Sequence, residues 1–177
     1  HHIMVGRNGL PGHMILDGSD AELTLDYIGV GRIDDDGFLI ADGSLTVKNG
    51  ATLYAKKYLA VGYGGTSSRF DLFDGTVRAK MFWQNGLDRD VGDGGITTLH
   101  NGVLKVEELN VEGGVIDIRG GQLMVKHPVQ PIDELISSGL IQFNGSTDVF
   151  LNINYTIKNV DGYTVIRLME TPRGTLG

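Results

Sequence analysis

The sequence predicts an all-β fold, a parallel β-helix with three strands per coil and about five coils, ended by a C-terminal cap. Three observations predict it. First, an apolar residue, a variable pair and a Gly recur as Ile3-Met4-Val5-Gly6, Ile28-Gly29-Val30-Gly31 and Leu59-Ala60-Val61-Gly62. Leu109-Asn110-Val111-Glu112-Gly113 and a degenerate Trp83-Gln84-Asn85-Gly86 continue the series, with the Gly positions 24 to 31 residues apart. Second, short alternating strands end in polar-Gly or Gly-Gly turns, and a further strand follows each turn. Third, 27 Gly stand against 4 Pro and no Cys in 177 residues. That composition excludes collagen, a Pro-rich linker, a disulfide framework and thiolate metal sites.

The elements follow in order. Leu45-Thr46-Val47-Lys48-Asn49-Gly50 leads into Ala51-Thr52-Leu53-Tyr54-Ala55. Phe70-Asp71-Leu72-Phe73-Asp74-Gly75 leads into Thr76-Val77-Arg78-Ala79. Thr97 to Gly102 leads into Val103 to Val106, and Ile116 to Gly121 into Gln122 to Val125. Period two over three to five residues marks strands whose single apolar face needs a neighbour to cover it. Asn-Gly and Asp-Gly supply positive-φ corners. A β-sandwich is the alternative, and it predicts less regular turn spacing.

Residues 3–127 therefore read as coils, and residues 128–177 as cap and tail. Pro128 and Pro131 mark the break. Ile132 to Gly139 reads as a short amphipathic helix, and Leu140 to Asn144, Val149 to Ile157 and Tyr163 to Met169 as strands, with Asp161-Gly162 as a turn. Residues 128–170 would cover the last coil, whose strand edges are otherwise unpaired. His1-His2 reads as the end of a purification tag. The chain begins at a coil end without a matching cap, which points to a segment of a longer protein.

A net charge of -7 argues against a nucleic-acid partner, because phosphate binding needs clustered Lys and Arg. No apolar run approaches the roughly 18 residues of a membrane span. Gly62-Tyr63-Gly64-Gly65-Thr66 lacks the Lys and following helix of a phosphate loop.

With Leu59 and Val61 facing the core, Tyr58 and Ala60 face outward. Aligning the repeats places Tyr27 with Gly29, Phe82 with Gln84, and Glu108 with Asn110 at the same outward positions. The expected result is a ladder of Tyr27, Tyr58 and Phe82 beside Gly29, Ala60, Gln84 and Asn110, with layers about 4.8 Å apart. Rings beside amides suit a neutral sugar chain, whose C–H faces pack on the rings while its hydroxyls meet the amides. Stacked aromatics that only hold the sheet are the plainer alternative. Trp83 falls inward in this alignment, or outward if the coil carries a bulge. Tyr54, Arg78 and Lys105 form a second outward column, read as a solvated face.

Asp88, Asp90 and Asp93 give three carboxylates at loop spacing, the oxygen-rich setting calcium takes, although the EF-hand pattern is absent. Solvated turn residues are the alternative there and at Asp34-Asp35-Asp36. Catalysis lacks support. Asp71, Asp74, Asp88 and Asp117 are the acids near the sheets, but Asp71 points outward and Asp74 sits in a turn. His13, His100 and His127 fall on separate coils without ligand or triad spacing.

The run Gly43-Ser44-Leu45-Thr46-Val47-Lys48-Asn49-Gly50-Ala51-Thr52-Leu53, then Tyr58 to Gly65, resembles the Gly-rich β-helix repeats of secreted bacterial proteins. The ending Ile132-Asp133 to Gly139-Leu140-Ile141, then Tyr155 and Asp161-Gly162-Tyr163-Thr164-Val165, resembles the cap that follows those repeats. The likeness covers most of the chain. It implies a right-handed parallel β-helix and an extracellular or cell-surface setting. It is similar to right-handed β-helix modules attached to plant-polysaccharide hydrolases. It therefore implies a non-catalytic carbohydrate-binding module, with a plant cell-wall polysaccharide as partner, xylan first, and a catalytic domain attached in a longer chain. A passive stalk or adhesin segment is the alternative.

Overall fold

Alternation of apolar and polar side chains commits about two thirds of the described residues to strands. A computed structural model describes residues 1–33, 40–63, 67–84, 94–145 and 155–169. The chain opens with β1 (His2–Val5), β2 (Gly12–Asp17) and β3 (Glu22–Ile33). β4 (Ile40–Ala41), β5 (Gly43–Lys48), β6 (Thr52–Tyr63), β7 (Arg69–Leu72) and β8 (Thr76–Gln84) follow. Next come β9 (Ile96–Leu99), β10 (Val103–Val111), β11 (Val115–Ile118) and β12 (Gln122–Pro128). Helix α1 (Ile132–Ser137), then β13 (Ile141–Phe143), β14 (Tyr155–Val160) and β15 (Tyr163–Leu168) complete the described elements.

The described strands form two sheets. One has six strands in the order β13-β11-β9-β7-β5-β2, and every pairing in it is parallel. The other runs β1-β3-β6-β8-β10-β12-β15-β14, with β4 paired to β3. It is parallel from β1 to β12, and antiparallel at β4, β15 and β14. Each repeat gives one short strand to the first sheet and one longer strand to the second. An antiparallel sandwich does not produce these parallel ladders.

The longer strands bend. In β8, Val77 and Ala79 are buried, Lys80 is exposed and Met81 half-buried, and then Phe82 and Gln84 are buried. Two successive outward residues reverse the in-out phase, which is sterically allowed where a strand turns around the core. β3 turns at Asp26-Tyr27, and β10 turns at Glu107-Glu108. β6 spends one residue more, Lys56-Lys57-Tyr58, and the register shifts there on both of its sides. Each long strand thus has two arms.

The core is built of columns. Leu45, Phe70, Thr97, Ile116 and Ile141 stack on the short-strand side, with Val47, Leu72, Leu99, Ile118 and Phe143 beside them. Leu53, Val77, Leu104 and Leu123 line the first arm, and Ile28, Leu59, Phe82 and Leu109 the second. Ile132, Leu135 and Ile136 of α1 join the same core. The sequence-predicted helix and the last strand therefore lie within a residue or two of their observed bounds. Asp161 and Gly162 both take positive φ, as a two-residue hairpin turn between β14 and β15 requires.

The glycine corners divide into two kinds. Asn49 and Gly50 have φ of 55° and 80°, as expected of a tight turn. At Gly75, Gly102 and Gly121 the reason is close approach instead. These three succeed Ala51 along a corner where Thr76, Val103 and Gln122 donate to the carbonyls of Ala51, Gly75 and Gly102. A Cβ on Gly102 would meet the Gly75 carbonyl and the Leu72 side chain. Gly102→Ala is expected to cost about 1–3 kcal/mol of stability, the usual range for overpacking. Chemical denaturation measures it, and an unchanged midpoint would contradict the close approach.

One polar pair sits inside the core. Gln84 and Thr97 are both fully buried. Thr97 Oγ1 donates to Gln84 Oε1 at 2.7 Å, and Gln84 Nε2 donates to the Gly95 carbonyl. Gln84→Leu strands two buried polar groups and is expected to cost about 1–3 kcal/mol. The Gln84→Leu/Thr97→Val double variant should recover part of that loss in a double-mutant cycle.

Candidate functional site

Pairing register defines the outer face of the second arm. His2, Tyr27, Tyr58, Met81, Glu108 and His127 occupy one outward column. Met4, Gly29, Ala60, Trp83 and Asn110 occupy the next. The Tyr27–Tyr58 ladder expected from sequence is present, with ring centroids 4.6 Å apart and planes tilted by 54°.

The expected third rung is corrected. Phe82 pairs with Leu59 and Leu109 and is 0% exposed, so it packs in the core, 6.4 Å from the Phe70 ring. Gln84 is likewise interior, in the column of Val61 and Val111. Trp83 takes the outward position and is half-buried. The cause is a one-residue slip. β6 uses two residues, Lys56 and Lys57, between Ala55 and Tyr58, whereas β8 uses Lys80 alone between Ala79 and Met81. Matching Gly86 to Gly62 ignores that difference, and a one-residue slip exchanges the two faces.

The amide side of the ladder also differs from expectation. Ala60 points outward yet is 1% exposed, so no open floor lies beside the rings there. Asn110 Nδ2 donates to Glu112 Oε1 at 2.7 Å, and Asn110 Oδ1 accepts from Gln130 Nε2 at 3.0 Å. Gln130 in turn bonds both backbone groups of Val111. Asn110 thus seats the segment after β12 and is not turned to a ligand.

The open side of the tyrosine pair is the bend. A hollow of about 710 Å³ there is lined by Tyr27, Tyr58, Met81, Asp26, Lys56, Lys57, Lys80 and Glu108. Lys57 Nζ donates to the Tyr27 hydroxyl at 2.7 Å and lies 4.8 Å from the ring centroid. The hydrogen bond to that hydroxyl raises the Lys57 pKa above the ordinary lysine value, so the ammonium is charged at neutral pH. The lysines and Met81 were missed from sequence. The doubled Lys56-Lys57, where other repeats carry one bend residue, was the available signal.

The second outward column is as expected: Tyr54, Arg78 and Lys105 are in register, and Lys105 Nζ lies 4.4 Å from the Tyr163 ring centroid. A smaller hollow of about 250 Å³ lies on the six-stranded sheet, with Asp71, Thr98 and Asp117 in successive strands. Asp117 Oδ2 accepts from Arg119 Nε at 2.7 Å, and Oδ1 accepts from the Gly145 N–H at 2.8 Å. Asp71 Oδ1 lies 3.4 Å from His100 Nε2, and the His100 ring stacks on Phe73 at 4.2 Å. Asp74 accepts from the Asn49 N–H in the turn. His13 Nδ1 is 2.6 Å from Ser44 Oγ, and His127 lies on the other sheet.

Asp88, Asp90 and Asp93, and Asp34 to Asp36, lie outside the described residues. Among the described residues no group of three His, Asp or Glu is placed to hold a metal ion. No helix there is long and apolar enough to cross a membrane. Comparison with protein families, curated proteins and solved structures finds no match to the chain.

Proposed function

We propose that the protein is a non-catalytic carbohydrate-binding module whose site is the Tyr27–Tyr58 face at the strand bend. In this reading the alternating strands close as a right-handed parallel β-helix of three faces per coil. The regular exchange between two sheets, the wholly parallel six-stranded sheet and the bent long strands support that closure. The observation that carries the function is the paired tyrosines, 4.6 Å apart, beside an open hollow large enough for more than one sugar ring. The rings stand on neighbouring strands of a continuous ladder, so they are ordered before ligand arrives. Preorganisation lowers the entropic cost of binding and partly offsets weak individual contacts.

A plant cell-wall polysaccharide is the proposed partner, and anchoring an attached hydrolase to it is the proposed purpose. Both rest on the sequence resemblance. The non-catalytic assignment is supported by the acids themselves. Asp117 spends both oxygens on Arg119 and a backbone N–H, and Asp71 faces His100, so neither is a free acid or base across a cleft. Affinity electrophoresis in gels containing xylan, β-glucan or pectin tests the proposal. Retardation in at least one gel is expected, and uniform non-retardation would return the protein to a passive stalk.

A further inference from the structure

We infer that the ligand of the bend hollow is an anionic polysaccharide, recognised by Lys56, Lys57 and Lys80 together with the two tyrosines. The inference rests on the carbohydrate-binding reading and names its substrate class. Three lysines line one hollow in a protein whose net charge is -7, so the cluster is no by-product of a basic surface. The two acids in the same lining, Asp26 and Glu108, do not cancel the three lysines, so the hollow keeps a net positive charge. Lys57 is fixed against the Tyr27 hydroxyl. Lys56 and Lys80 are exposed and make no hydrogen bond or ion pair among the described residues. They are charged donors in the same lining as the aromatic pair. A neutral xylan or glucan offers them hydroxyls only, whereas a carboxylate or sulfate ester on the sugar offers a charge-assisted hydrogen bond. The tyrosine rings take the apolar face of the same sugar.

The test is calorimetric titration with four probes: xylohexaose, cellohexaose, a galacturonate hexamer and a sulfated galactan hexamer. Each is run at low and at high salt. The expected result is tightest binding to an acidic probe, with affinity falling as salt screens the lysines. The two acidic probes separate a carboxylate ligand from a sulfate ester. Lys56→Gln/Lys80→Gln is expected to weaken acidic binding about three-fold per lysine, from unit charges a few ångströms apart in water. It should leave the thermal midpoint unchanged, and Lys56→Arg/Lys80→Arg should retain the affinity. Equal binding of neutral and acidic probes, or acidic binding indifferent to salt and to the Gln variants, would overturn the inference and leave the module reading standing. Silence with all four probes would overturn both.

Discussion

Phe82→Ala is expected to destabilise the protein by about 3–5 kcal/mol, the range for emptying a large buried ring site. The ring is fully buried between Leu59 and Leu109, and it lies 6.4 Å from Phe70 across the interior. Its neighbours belong to rigid sheets and close poorly around a void. Phe82→Leu keeps most of the volume and should cost well under half as much. Denaturant titration of both variants measures this. Neither substitution should alter sugar affinity in protein that remains folded. A Phe82→Ala variant of unchanged stability and lost affinity would reinstate Phe82 as a ligand-facing ring, and would shift the register of β8 by one residue.

Tyr58→Ala has the opposite signature. Tyr58 is half-buried on the outer face, packed against the tilted Tyr27 ring and bordering the bend hollow. Removing a central aromatic anchor is expected to weaken binding ten-fold or more, in keeping with losses of about 2 kcal/mol at aromatic hot spots. The fold should lose no more than about 1 kcal/mol, the contribution of one exposed cross-strand aromatic pair. Tyr54→Ala is the control, since Tyr54 faces outward in the other arm and away from the hollow. Equal loss in both variants would point to a general structural effect and not to a site.

Much of the fold was legible because alternation is a local property. Leu45 and Val47, Leu53 and Ala55, and Leu59 and Val61 each declare a buried face by spacing alone, and the structure stacks all six in the core. The turn at Asn49-Gly50 and the hairpin at Asp161-Gly162 were legible through residues that tolerate positive φ. The bends were not. A bend shows in sequence only as two outward residues in succession, and its length varies from one repeat to the next. That variation, two lysines in β6 against one in β8, moved Phe82 and Gln84 inside and Trp83 outside. Gln84 further misled because its polarity reads as surface, although Thr97 and the Gly95 carbonyl satisfy it within the core.

The site was half legible for a related reason. Tyr27 and Tyr58 share a motif position, so their pairing follows from the repeat. Asn110 also holds its predicted position, yet its amide is taken by Gln130, twenty residues later in the chain, and Glu112. Side-chain partners of that kind are set by tertiary placement, which the repeat does not encode. The lysines were overlooked because a charged residue at a bend reads as ordinary solvated surface. They become a cluster only when β6 and β8 lie side by side.

The most direct test of the central claim is isothermal titration of xylo-, cello- and galacturono-oligosaccharides into the wild-type protein and Tyr58→Ala. The account predicts heat with at least one sugar class in the wild type, lost or reduced ten-fold in the variant while the thermal midpoint falls by no more than about 4 °C. Heat that survives intact in Tyr58→Ala would place binding elsewhere, and no heat with any sugar would make the tyrosine pair a packing feature of a passive stalk.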